Sequence, residues 1–232
     1  MKILILNGSP RASKSKTLKI ASSFTKGLNY KNEHEVEIVN IYDCNINYCK
    51  GCYYCWNNEP GVCVIKDDMT SLIEKFLDAD IVIWCFPIYA FGMPSKLKLY
   101  LERLLPIDLP TMLERNDGGC VHAHRYKRAH HKYVMICSCG FYSKTNNCEP
   151  VIEQFSILYG EKVTEIICTE SELFNISSYK VKIDRYLDSI EKAGVEYCNN
   201  GSISEETKLL LSKKIVSPEL YMKVANESWG ID

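Results

Sequence analysis

Four cysteines fall close together: Cys49, Cys52 and Cys55 at intervals of three, then Cys63. Thiolates at this spacing suit three chemistries. A Cys-x2-Cys-x2-Cys run can give one sulfur to each of three irons of a cube, with a fourth cysteine closing it. Four sulfurs can also hold zinc, although such sites more often use two separated Cys-x2-Cys knuckles. Free thiols can pack a loop or form a labile redox pair. The spacing leaves all three open. A second group suits an anion. Asn7-Gly8-Ser9-Pro10-Arg11 leads through Ser13 and Ser15 to Lys16 and Thr17, between an apolar run and a helical pattern. Backbone N–H groups and the helix dipole at such a junction favour a phosphate. The hydroxyls of Ser9, Ser15 and Thr17 can donate to it, and Arg11 can neutralise its charge. No glycine precedes Lys14 or Lys16, so this is not a Walker loop, and it is not Gly-x-Gly-x-x-Gly. The same residues would also serve as a plain polar turn with Ser15 as a helix cap.

These groups need a scaffold, and the pattern predicts one. Residues 1–7, 35–41, 80–86, 132–137 and 162–169 read as strands; the first, third and fourth are apolar nearly throughout, as strands covered on both faces are. Helical spacing occupies 15–28, 68–77, 149–159, 179–197 and 205–214, and Pro94 is expected in the first turn of a helix running to 104. Strands alternating with helices predict βαβ units: an α/β, doubly wound, five-stranded parallel sheet in three αβα layers. Ligands of such sheets lie outside the carboxyl ends of the strands. The main domain is expected over 1–199, with 200–232 a helical extension packing on a partner subunit. Two connections are unusually long. Residues 42–67 hold the cysteines. Residues 105–131 read as a lid with a turn at Asp117-Gly118 and four of the five histidines. There Arg125, Lys127 and Arg128 could meet the phosphates of a dinucleotide, and solvated histidines are favoured over metal ligands. Cys44, Cys85, Cys120, Cys137, Cys168 and Cys198 read as buried structural thiols. Cys139 and Cys148 are read as packing thiols near the site.

Composition narrows the partners. Hydrophobic residues make up 46% and charged ones 25%, ordinary for a soluble domain. A formal net charge of −1 gives no electrostatic case for nucleic acid or an anionic membrane. The opening apolar run is too short for an export signal or a membrane span, so the expected compartment is the cytoplasm. Twelve cysteines there point to thiols or metal ligands rather than disulfides, in an anaerobic or microaerobic setting.

Three blocks carry a family resemblance. Gly8-Ser9-Pro10-Arg11 with Ser15-Lys16-Thr17 resembles the Gly-Ser-Pro-Arg…Ser-Asn-Thr loop of the flavodoxin-like NAD(P)H-dependent FMN reductases. Pro87-Ile88-Tyr89-Ala90-Phe91-Gly92-Met93-Pro94, with Leu97-Lys98 and Glu102-Arg103, is similar to their Pro-x-Tyr…Pro…Leu-Lys…Asp-Arg signature. Cys137-Ser138-Cys139-Gly140-Phe141 resembles a Cys-Gly-Phe loop after the fourth strand. The likeness covers about residues 1–195. Lys16 stands where the family usually has Asn, and Glu102 where it has Asp. The cysteine run, followed by Asp67-Asp68-Met69, is similar to the iron–sulfur flavoprotein branch. The resemblance implies FMN, with its phosphate on Ser9, Arg11, Ser15, Lys16 and Thr17. It implies a flavin ring against Pro87, Ile88, Tyr89, Ala90, Phe91 and Gly92, met by Ser138, Cys139, Gly140 and Phe141. It further implies a [4Fe–4S] cluster on Cys49, Cys52, Cys55 and Cys63, although related reductases keep similar cysteines without one.

The leading functional expectation is an FMN-dependent oxidoreductase. NAD(P)H would reduce the flavin, and electrons would pass to a small acceptor such as a flavin, quinone or nitro compound. The alternative is an electron carrier serving a ferredoxin-like protein. A zinc-stabilised binding module without flavin is the third. A homodimer or homotetramer is what the resemblance implies. No Ser/His/Asp triad or paired carboxylate is needed, since the cofactor carries the chemistry.

Overall fold

A computed structural model describes residues 1–126, 131–160 and 163–231. Lys127, Arg128 and His130 of the expected lid lie outside them. The elements in chain order are β1 Lys2–Asn7, α1 Lys16–Leu28, β2 Glu35–Asn40, α2 Tyr54–Asn57, α3 Met69–Asp78, β3 Ile81–Pro87 and α4 Ser95–Glu102. They continue with β4 Asp108–Glu114, β5 Cys120–His124, β6 Lys132–Ser138, α5 Glu149–Tyr159, β7 Val163–Cys168, α6 Lys180–Asn200, α7 Glu205–Ser212 and α8 Pro218–Ser228.

Five strands form one parallel sheet in the order β2-β1-β3-β6-β7. The order reverses at β1, the switch point where doubly wound sheets open a crevice at the strands' carboxyl ends. Asn7 closes β1, Pro87 closes β3 and Ser138 closes β6, so three expected site segments begin on that rim. Each sheet face buries its own core. On one face Phe24, Ile190 and Tyr197 of α1 and α6 cover Ile5, Ile83 and Val134. On the other, Phe76, Tyr100 and Phe155 of α3, α4 and α5 pack around Trp84. Burial of such side chains stabilises by roughly 1.5–3 kcal/mol each.

α1 and α6 meet through two glycines. A Cβ on Gly27 would lie 1.9 Å from Glu191 O, and one on Gly194 2.0 Å from Phe24 O. Both obstacles are backbone, so the helices would have to separate. Gly27→Ala is expected to cost about 3 kcal/mol, at the upper end of overpacking effects, and urea unfolding would read it directly. An unchanged midpoint would mean that the helices cross elsewhere.

Three expectations need correction. Residues 105–131 do not form an irregular loop: 108–124 contain the antiparallel hairpin β4–β5, outside the main sheet. Cys120, on that hairpin, is exposed rather than buried, and Cys44 and Cys198 are half-buried. Pro94 is the N-cap of α4 rather than a first-turn residue, and α4 ends at Glu102. The C-terminal helices pack on their own chain: Ile203, Val216 and Tyr221 join the core formed by α1 and α6. No described helix is long and apolar enough to cross a membrane.

Candidate functional site

The first loop is built around a buried asparagine that the sequence reading missed. Asn7 is fully buried, and its Nδ2 donates to Ala12 O (3.0 Å) and Asn40 Oδ1 (2.8 Å). These bonds fold 8–15 back over the end of β1. Ala12 accordingly takes a positive φ of 44°. Ser9 Oγ accepts from Arg11 N (3.3 Å), and Ser15 Oγ accepts from Leu18 N (3.1 Å) as the cap of α1. Accepting uses a lone pair and leaves each hydroxyl proton to donate elsewhere. Helix geometry also leaves the N–H groups of the first turn, Lys16 and Thr17, without intrahelical acceptors. Arg11 is exposed and joins no ion pair among the described residues. Backbone and hydroxyl donors thus stand at the start of a helix, where an anion is favoured. Lys16 is different. Its ammonium pairs with Glu172 at 3.0 Å, so its charge is already met and its backbone N–H is what remains.

Thr17 links this loop to the third block. Its hydroxyl lies 2.5 Å from that of Ser138, both buried. One proton serves that bond, which leaves one for a ligand. The second block connects there too, because Ile88 N donates to Ser138 O (2.8 Å). Beyond Ile88 the chain turns back on itself. Tyr89 and Gly92 exchange both backbone hydrogen bonds, at 3.0 and 2.9 Å, with Ala90 at φ 46° and Phe91 at φ 62°. Two non-glycine residues in the left-handed region cost roughly 1–2 kcal/mol each, and such strain clusters at functional sites. The turn presents aromatic surface. Tyr89, Phe91 and Phe141 are each nearly half exposed, and the Phe91 and Phe141 rings lie parallel with centroids 6.0 Å apart. α8, absent from the predicted elements, supports this rim: Tyr221 Oη donates to Gly140 O at 2.7 Å.

Next to this rim, Cys139 and Cys148 are both buried. A hydrogen bond from Cys148 lowers the Cys139 thiol to about 7 despite burial, and the same contact with desolvation pushes Cys148 far up.

The cysteine segment forms a second concavity. Cys49, Cys52, Cys55 and Cys63 line it together with Arg103, Leu105 and Pro106. Cys49 and Cys52 are exposed, Cys63 half-buried and Cys55 buried. Burial, and then the charges of Cys63, Cys49 and Cys52, raise the Cys55 thiol. Gly51 and Tyr53 both sit at positive φ, winding the segment around its sulfurs. No three His, Cys, Asp or Glu side chains among the described residues are gathered tightly enough for one metal ion. Zinc therefore fits poorly, since it draws its sulfurs to about 2.3 Å.

A clamp holds this segment in place. Arg103 and Asp67 form a bidentate pair at 2.7 and 2.9 Å, their side chains 1% and 0% exposed. Arg103 Nη1 also donates to Asn47 O (2.7 Å), and Asp67 accepts from the N–H groups of Asn47 and Met69. Desolvation opposes the Asp67 charge, but Arg103 and those N–H groups outweigh it and hold the carboxyl at about 2. The hairpin closes the other side. Trp56 Nε1 donates to Asp108 O (3.0 Å), its ring meets that of His122 edge-on at 4.9 Å, and Arg125 Nη2 reaches Cys55 O. The expected lid thus covers the cysteine segment. Asp108 takes His124 at 2.8 Å.

Residues 1–149 match a family model described as a flavodoxin-like fold. The chain belongs to that family. An iron–sulfur flavoprotein of Methanocaldococcus jannaschii is 32% identical over 123 residues, 52% of this chain and 61% of that protein. One from Archaeoglobus fulgidus is 33% identical over 123 residues, 52% of this chain and 53% of that protein. The matches thus span between half and two thirds of those relatives' lengths. Among solved structures, an FMN-dependent NADH-azoreductase of Bacillus anthracis in complex with FMN superposes with a TM-score of 0.61 at 18% identity, covering 85% of this chain and 99% of that one. At that identity the likeness concerns the flavodoxin-like fold alone.

Proposed function

We propose that the chain binds FMN at the carboxyl rim of the sheet and passes electrons from NAD(P)H to a small acceptor, with a [4Fe–4S] cluster held by Cys49, Cys52, Cys55 and Cys63. One observation carries the flavin reading. The donors of Ser9, Ser15 and Thr17 gather on the loop that Thr17 ties, through Ser138, to an exposed aromatic rim. An anion site and an apolar wall on one crevice suit a phosphorylated tricyclic ring better than either alone. The names of the similar iron–sulfur flavoproteins and of the FMN-bound azoreductase agree with it. FMN, when bound, supplies both two-electron and one-electron chemistry. The chain's part is placement. Ser9, Ser15, Thr17 and Arg11 fix the phosphate. The backbone of residues 87–92 approaches the ring, and Tyr89, Phe91 and Phe141 exclude water from it.

Protein purified anaerobically is expected to be yellow to brown, to release FMN on denaturation, and to bleach when NADH or NADPH is added. Protein that stays colourless after reconstitution with FMN would overturn the proposal. Arg11→Ala is expected to weaken FMN about tenfold and riboflavin hardly at all, because only FMN offers the charge that Arg11 meets. Equal losses, measured by fluorescence quenching, would place the phosphate elsewhere.

A second reading has its own observation. Cys49 and Cys52 are exposed, so a cluster there would lie near the surface, open to one-electron exchange with a ferredoxin-like protein. Fast cluster oxidation by ferredoxin alongside slow NAD(P)H turnover would favour that carrier role. Flavin shared between copies in a homodimer or homotetramer is consistent with both readings.

A further inference from the structure

Arg103 keeps two of its five N–H donors in reserve, the one on Nε and one on Nη2. Nη1 serves Asn47 O and Asp67, and Nη2 serves Asp67. Nε is buried and makes no hydrogen bond. A buried N–H left unpaired costs about 1–3 kcal/mol. Its position gives the reason. Arg103 lines the same concavity as the four cysteines, and after Asp67 the group it interacts with is Cys63. The bidentate pair with Asp67 and the bond to Asn47 O use three of the fork's five N–H groups. What arginine adds is a further donor on a rigid fork.

We propose that Arg103 Nε–H donates to the Cys63 sulfur when the four cysteines hold their iron–sulfur cluster, so that Arg103 is a positioning residue that orients this ligand and tunes the cluster's potential. The inference rests on the cluster reading above. Hydrogen bonds to cluster sulfurs and nearby outer groups are among the means by which a protein sets the potential. A donor withdraws electron density from the sulfur and favours the reduced state. The Asp67 carboxylate then acts one step further out, holding the fork in register.

The test compares wild type with Arg103→Lys, both reconstituted anaerobically with ferrous iron and sulfide. Lysine keeps a cation for Asp67 and loses the Nε donor. Iron and FMN are assayed on both proteins, and the potential is read per bound cluster. At a fixed redox poise, the variant's ratio of reduced to oxidised cluster should fall about tenfold, equivalent to 59 mV for one electron. Resonance Raman of wild type produced in deuterated medium should show Fe–S bands shifted from those in ordinary water, and the variant should lack that shift. Normal iron uptake with an unchanged potential and an unchanged isotope shift overturns the proposal alone. A wild type that takes up no iron overturns it together with the cluster reading. Should the lysine variant fail to fold, the wild-type spectra decide: no isotope shift overturns the inference, and a shift supports it.

Discussion

Asp67→Ala is expected to cost about 3–5 kcal/mol of folding stability and to release the cysteine segment. The carboxylate and Arg103 are both buried, and removing one member of such a pair strands the other's charge in a poor dielectric. Three further contacts go with it, because Asp67 also receives Asn47 N, Asn47 Nδ2 and Met69 N at 2.8, 3.1 and 3.1 Å. Those bonds hold the chain on either side of the cysteines, so the loss should appear locally as well as globally. Urea unfolding would report the midpoint, and limited proteolysis would report cleavage between 47 and 66. A variant as stable and as protease-resistant as wild type would show that the clamp is dispensable. Acid should act on the same group. Its pKa in the fold is lowered from 3.8 to about 2, so its stabilising contribution is present above about pH 4 and disappears as the pH falls through 2. The stability difference between wild type and Asp67→Asn should therefore be constant above pH 4 and shrink below it. A difference that stays level from pH 5 to pH 2 would contradict this account of the carboxylate.

The second large effect concerns iron. Cys52→Ser is expected to reduce iron from about four atoms per chain to trace, to remove the broad visible shoulder, and to leave FMN in place. The flavin is expected to survive because none of the residues lining the cysteine concavity belongs to the proposed flavin rim. Cys52 is exposed, so the serine costs little in packing and the effect isolates ligation. Iron and flavin assays on one anaerobic sample check both halves. Iron at trace level in the wild type would end the cluster proposal, and loss of flavin in the variant would show that the two sites are coupled.

What could be read in advance followed burial. β1, β3 and β6 are covered on both faces, so their sequences are apolar nearly throughout, and the sheet was legible from them. α1 and α3 were legible from apolar stripes at helical spacing, as in Leu18, Ile20, Ala21, Phe24 and Leu28. β4 and β5 were not, because the hairpin buries almost nothing and so shows no period of two: Met112 is 72% exposed and Leu113 50%. α8 was missed although its start was marked by Ser217-Pro218-Glu219, a cap followed by proline at the first helical position. The hydroxyls of the first loop could be named from their place between strand and helix. Asn7 could not be distinguished from an ordinary strand end, because its partners Ala12 and Asn40 are set by tertiary folding. The same holds for Asp67 and Arg103. Each stood inside a motif, but their pairing spans 36 residues and only the fold brings them together. Lys16 was assigned to the phosphate by its position in the loop, and the structure gives its side chain to Glu172, 156 residues away in sequence.

Titrating the flavin-free chain with FMN and, separately, with riboflavin tests the central claim most directly, since the two differ only by the phosphate. With Ser9, Ser15, Thr17 and Arg11 gathered on the first loop, FMN should bind at least about tenfold more tightly, a difference of roughly 1.4 kcal/mol. Equal affinities, or no quenching by either, would contradict the assignment of that loop to a phosphate and of the rim beside it to a flavin.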